Sequence, residues 1–130
     1  MTADVVEEFR LAGLEVVPAE RFAGEPFGAG MQRLAIPSVP RESIYLHVYR
    51  TAEQARSEAS RIDRSGNLEP ESGPPRVHVD YASTVHFYYR DRIIAKFGGC
   101  NDGVKAVMAT LFGPPVVVTN STCWTLWGNR

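Results

Sequence analysis

The stretch Ser43-Ile44-Tyr45-Leu46-His47-Val48-Tyr49-Arg50, read together with the segment Thr51 to Ile62 behind it, decides how this chain folds. In the first part Ile44, Leu46 and Val48 alternate with Tyr45, His47 and Tyr49, the period of two that a pleated strand imposes on its faces. In the second part the period changes. Ala52, Ala55, Ala59 and Ile62 recur at helical spacing, and Thr51 with Gln54 makes a T-x-x-Q capping box. A strand over 43–50 therefore runs almost directly into a helix over 52–62. The alanines on that helix's inner side allow it to lie close to a sheet, while Glu53, Arg56, Glu58 and Arg61 face water.

Working towards the N-terminus, Gln32 to Ile36 reads as a strand that Pro37 ends. Between Glu15 and Gly30 the short runs Val16-Val17 and Arg21-Phe22 are broken by Pro18, Gly24, Pro26, Gly28 and Gly30, which predicts a strand start and then a loop. Asp4 and Glu7 stand at capping-box spacing, with Val5, Val6 and Phe9 on one helical face, so a helix spans about 5–12. Gly13 suits the left-handed position that closes such a helix, and Leu14 can fold back on its last turn.

Working towards the C-terminus, the segment 63–75 gathers Asp, Ser, Gly, Asn and Pro and is the longest irregular stretch. Arg76 to Tyr81 and Thr84 to Tyr89 each alternate, and Arg92 to Gly98 returns as a hairpin partner after Arg90-Asp91. Asn101 or Asp102 caps a last helix in which Val104, Val107, Met108 and Leu111 share a face before Gly113-Pro114-Pro115 ends it. The assembled order implies an α+β fold, with an antiparallel or mixed sheet of about five strands and three helices packed mainly on one face. Residues 1–115 form a single domain, and 116–130 are a C-terminal extension that can add a strand.

The chain has 130 residues, with 44% hydrophobic and 22% charged residues, enough for one ordinary core. Fourteen Lys and Arg against fifteen Asp and Glu leave no field that would draw it to nucleic acid. No apolar run approaches a membrane span. Cys100 and Cys123 flank the last helix without a second pair to complete a zinc spacing; they pair in an oxidising compartment and stay as thiols in a reducing one. Met1 to Arg10 carries Asp4, Glu7 and Glu8 rather than an export signal, which reads as cytoplasmic, or as cell envelope if a leader precedes it.

No phosphate loop, dinucleotide fingerprint, zinc-protease helix or nucleophile elbow is present, so no cofactor, metal or catalytic residue is assigned. Gly98-Gly99 before the last helix is ordinary turn chemistry, although a helix N-terminus can hold a small anion. The more specific set is aromatic and imidazole: Tyr45, His47 and Tyr49 share one strand face, and His86 and Tyr88 share another. If the helices cover the Ile44, Leu46 and Val48 face, these five can line the open one and offer flat apolar surface with polar tips to a ligand or partner. Tyr and Thr are also simply good strand residues. A second constellation, His78, Asp80 and His86, would hold a metal or perform acid/base hydrolysis if the connection at Ala82-Ser83 brought the three together.

His86-Phe87-Tyr88, Ile93-Ile94 and Gly98-Gly99, with Ala12-Gly13-Leu14 and Leu111-Phe112-Gly113-Pro114, resemble a family of small bacterial proteins of unknown function, many with a lipoprotein-type start. The resemblance covers most of Val5 to Pro115 and implies a similar fold. It supplies no catalytic residues. The chain departs from the family's pattern in lacking a lipid-bearing cysteine, in having Asp80 where an aromatic is expected, and in continuing past Pro115. The expectation is a non-enzymatic binding or interaction domain, with a protein, a small molecule or a second copy of the chain as its partner. The alternative is a small hydrolase using His78, Asp80 and His86.

Overall fold

A computed structural model describes residues 2–22, 30–68, 84–119, 124–125 and 128–129. Helix α1 (Thr2–Leu11) leads into β1 (Val17–Phe22), β2 (Met31–Ala35) and β3 (Ser43–Val48). Helix α2 (Ala52–Ala59), the hairpin of β4 (Val85–Arg90) and β5 (Ile93–Gly98), helix α3 (Asp102–Phe112) and β6 (Val117–Val118) follow. Strands β7 (Trp124–Thr125) and β8 (Gly128–Asn129) form a separate two-stranded ladder. The main sheet has six strands in the order β1-β2-β3-β5-β4-β6, every neighbour antiparallel. The sixth strand is the start of the C-terminal extension, which hydrogen-bonds to β4 through Val116 N to Phe87 O and Thr119 N to Val85 O.

Local chemistry sets the element ends. Gly13 takes φ 96, Leu14 N–H reaches back to Phe9 O at 2.9 Å, and Gly13 N–H bonds Arg10 O at 3.0 Å, closing α1 with both bonds of a Schellman motif. Thr51 Oγ1 accepts from Gln54 N–H at 3.1 Å and Asn101 Oδ1 accepts from Val104 N–H at 3.0 Å, each satisfying one free donor at a helix start. Helix α2 ends at Ala59, one turn short of Ile62, which instead pairs with Leu68 across a turn held by Asp63 Oδ1. The expected strand over 76–81 lies outside the described residues.

Two helices gather on one face and the third takes the other. Val5 and Phe9 of α1 and Val104, Met108 and Phe112 of α3 pack on Leu34, Ile44, Leu46, Tyr88, Ala95 and Phe97. Ala55 and Ala59 of α2 pack on Val85, Phe87 and Ile94 from the opposite side. The cause lies in β5, where Ile93, Ala95 and Phe97 point one way and Ile94 the other, all buried. A strand with large apolar side chains on both faces cannot leave either of them to water. Arg90 then ties the first layer together: its guanidinium donates to both oxygens of Glu8 (3.0 and 2.9 Å) and to Leu111 O (2.8 Å), and lies over the Phe112 ring.

Ala55 is fully buried, so a larger side chain there must lift α2 from β4 and β5. Ala55→Leu is expected to destabilise the domain by about 1–3 kcal/mol in urea denaturation. Unchanged stability would contradict the close seat of α2.

Candidate functional site

The registers place the five aromatic and histidine candidates on two faces rather than one. Ile44 lies opposite Phe97, and Phe97 opposite His86; Leu46 lies opposite Ala95, and Ala95 opposite Tyr88. His86 and Tyr88 therefore point to the α1–α3 side with the aliphatic core, whereas Tyr45, His47 and Tyr49 belong to the α2 side. Among the described residues the five do not share one open face: the side opposite Ile44 and Leu46 carries α2 over β4 and β5, and the other two of the five lie on the α1–α3 side. His47 is fully buried, Tyr49 is buried with its hydroxyl donating to Glu58 Oε1 at 2.8 Å, and Tyr45 is half-buried. The Tyr45 ring lies 5.7 Å from Lys96 Nζ, an amine whose burial pulls its pKa down to about 8. Burial pushes the Tyr88 phenol up to about 12.

His86 stacks on Phe97 with ring centroids 5.7 Å apart, and its Nδ1 lies 3.4 Å from Phe97 O. Burial lowers its pKa; the contact with Phe97 O acts in the opposite sense, Lys105 lowers it further and Glu42 raises it. His78 and Asp80 lie outside the described residues, and among the described residues no group of three His, Cys, Asp or Glu side chains is placed to hold a metal. Cys100 is in a disulfide bond. The chain's other cysteine, Cys123, lies outside the described residues. The N-terminus of α3 is occupied by the chain's own carboxylate: Glu42 Oε1 accepts from Asn101 N–H at 3.2 Å, in a space that a Cβ on Gly99 would enter at 2.3 Å. The glycines there make room for Glu42 rather than for a free anion.

A cavity of about 520 Å³ opens elsewhere, where the first turn of α1 overhangs β1, β2 and β3. Among the described residues it is lined by Thr2, Ala3, Arg21, Phe22, Gly30, Met31, Gln32, Leu46 and Val48, and none of these is acidic. Leu46 and Val48 supply an apolar floor from β3, and Phe22 is a half-exposed wall. Gln32 stands between them, 6% exposed, with its Nε2 donating to Ala19 O (3.0 Å), Arg33 O (3.0 Å) and Glu20 O (3.4 Å). The amide nitrogen is thus engaged by backbone, and no donor among the described residues reaches its Oε1.

None of these cavity residues belongs to the aromatic set singled out from the sequence. The signal that points to them is Gln32, a polar residue at the same strand parity as Leu34 and Ile36, where an inward apolar side chain is expected. Compared with models of protein families, with curated proteins and with solved structures, the chain matches none. Among the described residues, no helix is long and apolar enough to cross a membrane.

A histidine whose pKa is lowered in the fold contributes stability above its unfolded value of about 6.5, and that contribution is lost as pH falls through the lower folded value. Domain stability is therefore expected to decline on acidification below about pH 6.5. The decline should be shallower in His86→Gln, as read from urea midpoints across pH. Parallel curves for the two proteins would contradict the neutral, buried state of His86.

Proposed function

We propose that this chain is a non-enzymatic binding domain that takes a small molecule in the cavity between α1 and the β1–β3 end of the sheet. The observation that carries this reading is the cavity's make-up. Its volume is within the range of about 300–1,000 Å³ typical of ligand sites, and an apolar floor is combined with two polar groups that can orient a guest, Gln32 and Arg21. The Tyr45, His47 and Tyr49 face is a weaker candidate, since His47 and Tyr49 are buried and α2 packs on Tyr49. Hydrolysis by His78, Asp80 and His86 lacks support in the described residues, where His86 is stacked in the core against Phe97.

A neutral fluorescent probe, N-phenyl-1-naphthylamine, reports on such a site without favouring either charge. Saturable binding at one site per chain is expected. Val48→Trp, which fills the cavity floor from a half-buried position, should abolish it while leaving the unfolding free energy from urea denaturation within about 1 kcal/mol of the parent. Binding that survives the substitution, or no binding to the parent, would overturn the cavity as the site.

A further inference from the structure

The pairing of β1 with β2 is not uniform. Val17 lies opposite Ala35 and Pro18 opposite Leu34, but Arg21 lies opposite Gln32 and Phe22 opposite Met31. Between Pro18 and Arg21 the register shifts by one residue, so β1 holds a bulge. Because side chains alternate, a one-residue shift exchanges which of two neighbours faces which side. In the register of Val17 and Pro18, Glu20 would stand opposite Gln32 and point to the cavity side. With the bulge, Arg21 stands there.

Three further features belong to this exchange. Gln32 Nε2 donates to Ala19 O and Glu20 O, the carbonyls of the bulge itself, so the buried amide holds the shifted register in place. Glu20, turned away, is taken up by Arg33: the Arg33 Nη2 donates to Glu20 Oε1 at 3.0 Å, and this hydrogen bonding lowers the Glu20 pKa. Arg21 lines the cavity and is bonded to no carboxylate among the described residues. Beside it, Thr2 and Ala3 bring the N-terminal end of α1, where backbone donors point outward and the helix dipole is positive. Asp4 is the acidic residue of that first turn, and it is not among the side chains that line the cavity.

We infer that the cavity selects a monoanion with an apolar body, such as a single-chain carboxylate free in solution. Arg21 would bind the anionic group at the mouth, and Leu46 and Val48 the apolar part. Gln32 is a positioning residue, acting through the bulge that it clamps. The inference rests on the cavity being the binding site, as proposed above, and adds the sign of the ligand's charge.

The test displaces N-phenyl-1-naphthylamine with three guests of equal chain length at about pH 7.5, where a carboxylate is ionised. These are decanoate, 1-decanol and decyltrimethylammonium. Decanoate is expected to compete about tenfold better than decanol and better still than the cation, the scale of one charge-assisted contact. Arg21→Ala, an exposed position that should fold normally, is expected to bring decanoate and decanol level. Arg21→Lys should keep most of the preference, and Arg21→Glu should turn it towards the cation. If the probe binds but the three guests compete equally in the parent, or if Arg21→Ala leaves the preference intact, the charge assignment is overturned and the binding reading stands. Failure of the probe itself to bind sinks both. Pelleting of the protein with phosphatidylglycerol vesicles, without displacement of the probe by free decanoate, would assign the cavity to a lipid surface and overturn the free ligand.

Discussion

Strand β5 is hydrogen-bonded along both edges, to β3 and to β4, and buries aliphatic or aromatic side chains on both faces, with the Lys96 amine among them on the Ile94 side. Each fully buried side chain such as Ile94 or Phe97 favours folding by roughly 1.5–3 kcal/mol, so neither face can be left wet. That constraint recruits α1 and α3 to one side and α2 to the other. It also distributes the polar residues of the neighbouring strands: whatever pairs through β5 with an aliphatic residue joins the aliphatic side. His86 and Tyr88 are drawn into the core in this way, and their shifted pKa values follow from burial rather than from any chemistry between them.

At the β1 end of the sheet the cover supplied by the described residues is incomplete. Helix α1 packs through Val5 and Phe9, and beyond its first turn the floor formed by Leu46 and Val48 opens into the cavity. The edge strand above that floor contains the bulge, and the bulge decides which of two oppositely charged neighbours looks in. Edge strands commonly carry bulges that limit pairing with other chains, and this one can serve that end as well. Its clamp by Gln32, the removal of Glu20 to Arg33 and the exposure of Arg21 to the cavity are consequences of a single residue of register.

Much of this architecture is legible in the sequence. The alternation of Ser43 to Arg50, the caps at Thr51 and Asn101, the hairpin around Asp91 and the stop at Gly13 are all local signals, and each is where the chain bends or bonds as read. The face shared by His86 and Tyr88 is not local. It depends on how β4 registers on β5 and β5 on β3, and alternation within one strand cannot say which of its two faces meets the helices. The bulge is harder still, because Glu20 and Arg21 are both exposed and polar, so no hydrophobic period marks the slipped residue. Gln32 alone leaves a trace, as a buried amide at an inward position that has to find hydrogen-bond partners. It finds them in the carbonyls of the bulge.

The most direct measurement is an amide-resolved NMR titration of the labelled chain with decanoate. Saturable shifts confined to the first turn of α1, to Arg21 and Phe22, to Gly30 to Gln32 and to Leu46 to Val48 are the expected result. Shifts centred on α2 and the Tyr45–Lys96 face, or none at saturating ligand, would contradict a binding cavity at the bulged end of the sheet.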